Sequence, residues 1–266
     1  MNGLLLAAVI FSANQGSAVQ ITFPHEAGIR TVEIVWEKKE IPAFRAGNTW
    51  AAIVGIDLDA KPGEHKADVL FTMTDGRVDK RDAIIKVVAK KYPTTELKVA
   101  DRYVELNPAD LARANRESKE TETIYASLST ERLWEGVFSI PIPGRSGTNF
   151  GHRRVFNGEP RAPHAGADLR ATTGTPVHAA NRGRIVLAKN LFFSGNTVIV
   201  DHGLGIYSLY AHLSRINVKS GEMVKNGQMI GLAGATGRVT GPHLHWGVRV
   251  QGARVDPFTL VGIGQN

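Results

Sequence analysis

From Val19 to about Lys91 apolar and polar residues alternate with period two, in the runs Thr31–Trp36, Ile41–Phe44, Trp50–Val54, Ala67–Met73 and Ile84–Val88. Successive side chains of a β-strand point to opposite faces, so each run buries one face and wets the other. Ala46-Gly47-Asn48, Lys61-Pro62-Gly63 and Asp75-Gly76-Arg77 supply turn residues between the runs. Short alternating strands with such turns predict a small β-sandwich over residues 19–91.

The alternation stops between Tyr92 and Gly136. Asn107-Pro108-Ala109-Asp110 reads as a helix start, with Asn107 as N-cap, proline in the first position and an acid three residues after the cap. Leu111, Ala114, Ile124, Tyr125 and Leu128 give an incomplete apolar face, which predicts a connecting helix within residues 92–135. Pro141, Pro143, Gly144 and Gly147 then mark an extended lead into a second domain, residues 136–266. Arg184–Ala188, Thr197–Val200, Ile206–Leu213 and Leu244–Val250 are strand-like there, and frequent glycines punctuate them. The expected fold class is mostly β: a sandwich-like domain, a helical connector and a compact antiparallel β domain.

With 266 residues, 42% of them hydrophobic and 21% charged, the chain falls in the soluble globular range and has room for two domains. It contains no cysteine, which excludes a disulfide framework, a thiolate zinc finger and a cysteine nucleophile. Any metal site must use His, Asp or Glu. Residues 136–266 carry 14 basic and 5 acidic side chains, a net of +9, while residues 19–95 carry +1 and residues 96–135 carry −3. The basic half favours an anionic partner. Nucleic acid is not expected, because there is no lysine/arginine block, helix-turn-helix pattern or aromatic stacking motif. The first 18 residues carry no charge, and Leu4–Phe11 is an apolar run followed by Gly16-Ser17-Ala18. This pattern resembles a secretory leader cut after Ala18, although it lacks a basic start, and it is too short to span a bilayer.

Chemistry is concentrated in a few histidines. His243-Leu244-His245 lies in a strand-like run, so both imidazoles can address one site. His164-Ala165-Gly166-Ala167-Asp168 places a histidine and a carboxylate four apart around a glycine, and His212 sits in Tyr210-Ala211-His212-Leu213. Two histidines and one carboxylate, leaving a fourth position for water, are the donor set of a catalytic zinc site rather than a closed structural one.

His164-x-x-x-Asp168, Tyr210-Ala211-His212-Leu213 and Gly241-Pro242-His243-Leu244-His245, in this order, resemble the lysostaphin/LytM-type zinc metallopeptidases, which cleave peptide cross-links of bacterial peptidoglycan. Gly174-Thr175-Pro176-Val177, Gly195-Asn196-Thr197-Val198, Asp201-His202-Gly203 and Val255-Asp256-Pro257 agree with the same family. The resemblance covers about Gly136 to Gly262. It implies one zinc ion per chain held by His164, Asp168 and His245, with His212 and His243 as catalytic histidines that do not bind the metal. Which of those two is the general base is left open. The resemblance also implies an antiparallel β fold with a groove over the metal, peptidoglycan as substrate, and export to the periplasm or cell envelope, where anionic wall polymers suit the basic half. A wall-binding or regulatory module without turnover is the alternative, and the complete set of histidines favours the enzyme. His25, His65 and His152 read as surface residues, His178 and His202 as structural, Asn196 equally as a turn residue or a donor to substrate carbonyls, and Asp256 as a turn cap rather than a ligand.

Overall fold

The period-two runs pair as sheets whose apolar faces meet. The structure is a computed structural model that describes residues 9–97, 106–144, 147, 149–156, 158–160 and 162–263. Its first strands are β1 (Val9–Asn14), β2 (Ser17–Pro24), β3 (Ile29–Trp36), β4 (Lys39–Pro42), β5 (Phe44–Ala46), β6 (Thr49–Ile56), β7 (Gly63–Met73) and β8 (Val78–Val88). One sheet runs β1-β8-β7-β3-β4 and a second runs β2-β6-β5. Ile21, Val32, Ile34, Ile56, Val69 and Ile85 fill the core between them. The single run expected over Ile41–Phe44 is split at Ala43, because the chain turns from one sheet into the other there.

From Val9 onward the apolar run is strand β1, paired in parallel with β8, and Ala13 is buried. Ala18 lies inside β2, also buried, and its amide donates to Thr259 Oγ1 at 2.9 Å. An apolar run of this length meets the requirements of a strand as well as those of a leader, and sequence pattern does not separate the two. Residues 1–8 lie outside the described residues.

After β9 (Thr94–Leu97) comes the connecting helix α1 (Pro108–Ala126). Asn107 caps it, its side-chain oxygen accepting from the Asp110 amide at 2.9 Å. Only Ala114 of α1 is buried, in keeping with its polar sequence. The remaining strands are β10 (Arg153–Phe156), β11 (Glu159–Pro160), β12 (Gly166–Arg170), β13 (Pro176–His178), β14 (Gly183–Leu191), β15 (Gly195–Gly203), β16 (Ile206–Ile216), β17 (Met223–Val224), β18 (Met229–Ala233), β19 (His243–Val250) and β20 (Ala253–Val255). Strands β12–β20 form a nine-stranded sheet with the main path β12-β19-β16-β15-β14-β17, every pairing along that path antiparallel, while β10 and β11 join β9 in a separate three-stranded sheet. Strand β9 pairs in parallel with β10 and so ties the connector to the second domain.

The two β units share apolar contacts. Phe44 packs edge-on against Trp134 at 5.2 Å between ring centroids, and Ala51 and Ile53 of β6 join the same core as Leu244, Trp246 and Val248 of β19. At the turn from β19 to β20 the buried Gln251 adopts a left-handed backbone (φ 46°). Its Nε2 donates to Ile53 O at 3.1 Å and Leu204 O at 2.9 Å, and its Oε1 accepts from the Gly55 amide at 3.2 Å. Gly55 must be glycine, since a Cβ there would lie 2.4 Å from Val250 O. Truncating Gln251 leaves three buried backbone groups without partners. Gln251→Ala is therefore expected to lower stability by about 2–4 kcal/mol, read as a shifted midpoint in urea unfolding; a change below about 0.5 kcal/mol contradicts this role.

Candidate metal centre

Strand register assembles the site. In the antiparallel pair β12·β19, Asp168 stands directly opposite His245, and cross-strand partners share a face. Asp168 Oδ1 lies 2.9 Å from His245 Nδ1 and 3.1 Å from His164 Nε2, and the two histidine nitrogens are 3.0 Å apart. One donor atom from each of His164, Asp168 and His245 falls within 4.8 Å of the other two. Ligand bonds of about 2.0–2.1 Å in tetrahedral geometry place donors about 3.3 Å apart, so the three converge at the separation a metal ion needs. Gly166 makes this possible, because a Cβ there would sit 2.7 Å from the His245 ring.

Asn149 braces the cluster from behind. Its backbone carbonyl accepts from His164 Nδ1 at 3.0 Å, which puts the proton on Nδ1 and leaves the Nε2 lone pair facing the cluster. Its side-chain amide donates to Asp168 Oδ2 at 2.7 Å, and its side-chain oxygen accepts from the Asp168 amide at 2.9 Å. Burial alone would raise the Asp168 carboxyl, but hydrogen bonds and charge from His164 and His245 outweigh it and hold the group well below the usual carboxylate range. Asp168 is thus an anion at any physiological pH. Burial lowers His245, with the neighbouring carboxylate opposing the shift.

A second pair of imidazoles faces the same cleft. His243 shares the face of His245 by strand alternation, and its Nδ1 lies 2.9 Å from Gly241 O. His212 reaches the cleft by a different device. Its neighbour Ala211 is the residue paired with His245, so regular alternation would turn His212 into the core. A left-handed backbone at His212 (φ 62°) and a register shift just beyond it rotate the ring onto the cleft. Its Nδ1 donates to Thr236 O at 3.0 Å, and the ring centroids of His212 and His243 are 4.9 Å apart. Burial pushes the His212 imidazole down to about 4. The cleft, about 350 Å³, is lined by all five residues together with Phe193, Ser194 and Arg238.

The other histidines stand apart from the cleft. His202 is fully buried, with Nδ1 2.9 Å from Arg182 O and Nε2 2.7 Å from Ser208 Oγ, and burial lowers it to about 4. His178 Nδ1 contacts Pro141 O at 3.3 Å. His152 is half-buried rather than a surface residue, because Nε2 contacts Thr95 Oγ1 of β9 at 2.7 Å. His25 is exposed, and His65 packs edge-on against Trp36. Asp256 caps the short turn Pro257–Thr259 by accepting from the Phe258 amide. Asn149 was not legible as a site residue: it is a loop asparagine remote in sequence from the histidines it holds, and no spacing rule connects them.

The family model for peptidase family M23 matches residues 162–257, a span that contains all five cleft residues. Peptidoglycan DD-endopeptidase ShyA of Vibrio cholerae is 45% identical over 135 residues, covering 50% of this chain and 31% of ShyA. DD-carboxypeptidase/endopeptidase Mpg of Neisseria meningitidis is 42% identical over 97 residues, covering 36% of this chain and 22% of Mpg. The chain thus matches less than a third of the length of these curated relatives. A crystal structure of a Pseudomonas aeruginosa protein assigned to the M23 peptidases superposes with a TM-score of 0.72 at 30% identity, over 95% of both chains. A chain that matches the family's model across every cleft residue, and a family structure along nearly its whole length, belongs to peptidase family M23.

Proposed function

We propose that this protein is a zinc endopeptidase that hydrolyses peptide cross-links of bacterial peptidoglycan. The observation that carries the reading is the convergence of His164, Asp168 and His245 beside two further imidazoles in one cleft. Two imidazole nitrogens and an ionised carboxylate, already oriented by Asn149, suit zinc as a donor set. Bound there, zinc supplies Lewis-acid polarisation of a peptide carbonyl and lowers the pKa of a water from about 15.7 toward 7.

The chain's own residues supply the proton handling. His212 and His243 each direct Nδ1 at a backbone carbonyl, which can only accept, so Nδ1 carries the proton and Nε2 presents a lone pair to the cleft. A neutral Nε2 can take the proton of an attacking water and return it to the departing amine. Two such groups in one cleft let one imidazole serve as base while the other donates to the oxygen on which charge develops. A module that only bound wall peptides would have no use for two imidazoles held in this tautomer. ShyA acts on peptidoglycan by name, which supports the same substrate here and a place in the cell envelope. Among the described residues no helix is long and apolar enough to cross a membrane. The basic excess of residues 136–266 suits anionic wall polymers, with binding that weakens as salt rises.

Purified protein incubated with cross-linked peptidoglycan is expected to release new peptide termini, and a chelator to stop the release; release that persists after the metal is removed contradicts the reading. Ala at His164, Asp168 or His245 removes a ligand and is expected to abolish both metal content and activity. His212→Ala and His243→Ala keep the three ligands, so metal content should hold while turnover drops by about 10²–10⁴-fold. Loss of metal from either variant shows that the division between ligands and proton carriers is wrong. Asn149→Ala leaves all donors present but unbraced, and its metal affinity should drop by about 10–100-fold in competition with a chelator; unchanged affinity rules out the bracing role.

A further inference from the structure

The cleft over the metal cluster does not end at His245. Phe193 and Ser194 line it and also line a second cavity, about 500 Å³, against α1. Along β19, His243, His245, Gly247 and Arg249 occupy one face by strand alternation, so the cluster and Arg249 look into the same space. Gly247 carries no side chain, and a chamber of about 60 Å³ opens between His245 and Arg249, lined by Tyr125 of α1 as well. Arg249 lines this chamber, the cavity against α1 and a third space of about 520 Å³.

The guanidinium of Arg249 has no ion-pair partner among the described residues. Its contacts are a long hydrogen bond from Nη1 to Ala165 O at 3.5 Å and the face of the Tyr125 ring at 5.2 Å. Of the acids that line these spaces, Glu122 accepts from Ser118 Oγ at 3.2 Å. Glu117 accepts from Arg113 Nε at 2.7 Å and the Phe192 amide at 2.6 Å, and Asp57 accepts from Arg254 Nε at 3.0 Å. Burial presses on the Arg249 charge and lowers its pKa. A shielded cation without a counter-ion attracts anions more strongly than a surface one, and the planar guanidinium fork matches a carboxylate. The same cavity offers Leu191, Leu209 and Phe193 as apolar walls, which suit a peptide of small apolar residues interspersed with carboxylates.

We propose that Arg249 anchors a free carboxylate of the substrate peptide, in a subsite that continues the metal cleft along β19 toward α1. This rests on the reading of the protein as a hydrolase of peptidoglycan stems, which carry alanines and free carboxylates. The carboxylate seats against the guanidinium while the peptide runs past Phe193 to the cluster. Arg249 thereby sets which stems are held, without touching the reacting atoms.

The test is calorimetric titration of the metal-loaded full chain with an uncross-linked stem tetrapeptide, once with free carboxylates and once with them amidated. A charge-assisted hydrogen-bonded pair predicts a preference of about 10–100-fold for the free form. Arg249→Gln is expected to bind both forms with the affinity of the amidated one, and Arg249→Lys to keep an intermediate preference. Thermal unfolding of each variant shows whether it is folded, and Arg249→Lys carries the comparison if Arg249→Gln is not. The proposal is overturned if the unmodified protein shows no preference, or if a folded Arg249→Gln retains it. Peptide release from peptidoglycan tests the peptidase reading separately. Turnover without a carboxylate preference removes the anchor alone, and a preference without turnover upholds the anchor while removing the peptidase reading.

Discussion

The pairing of Asp168 with His245 across β12 and β19 is the constraint on which the rest of the site depends. A strand's side chains alternate, so a slip of one residue in this pairing would send His243 and His245 into the core and bring Leu244 and Trp246 to the cleft. The burial of Leu244, Trp246, Val248 and Val250 on the opposite face opposes that slip strongly. Hydrophobic register and metal geometry are therefore the same specification. Gly166 adds the space for the His245 ring, and Asn149 fixes the two donors contributed by the chain around β12.

The amino-terminal sandwich bears on the same strand. The far end of β19 turns into β20 at Gln251, whose side chain reaches backbone groups of β6, and Arg254 of β20 forms hydrogen bonds with Asp57 at 3.0 Å and Asp59 at 2.9 Å. Phe44 and Trp134 close an apolar contact alongside. The strand that carries two cleft histidines is thus clamped at one end by the neighbouring domain. These contacts hold the far end of β19 and β20 against the amino-terminal strands.

Much of this was legible in the sequence, and the exceptions have physical reasons. Period-two runs placed β3, β7 and β8, strand-like runs placed β19 and also β6, whose residues from Trp50 onward are buried on both faces, and the Asn107-Pro108 start placed α1. His243 and His245 could be put on one face from alternation alone. His212 could not, because a left-handed backbone reverses the direction that alternation assigns it; its membership of the site came from family resemblance. Asn149 was missed because its contacts cross from a loop to β12, and long-range hydrogen bonding leaves no periodic trace. The run Leu4–Phe11 reads as a leader, and its end from Val9 onward also pairs as edge strand β1, since both structures demand the same short apolar stretch.

The proposed site holds a single metal ion on His164 Nε2, an Asp168 carboxylate oxygen and His245 Nδ1, with His212 and His243 close by but unbound. A crystal structure of the zinc-loaded protein, with anomalous scattering recorded on both sides of the zinc edge, tests this most directly. One anomalous peak is expected within about 2.0–2.2 Å of those three atoms, with Asn149 still bonded to His164 and Asp168. A peak coordinated by His212 or His243, or by His245 through Nε2, would contradict it.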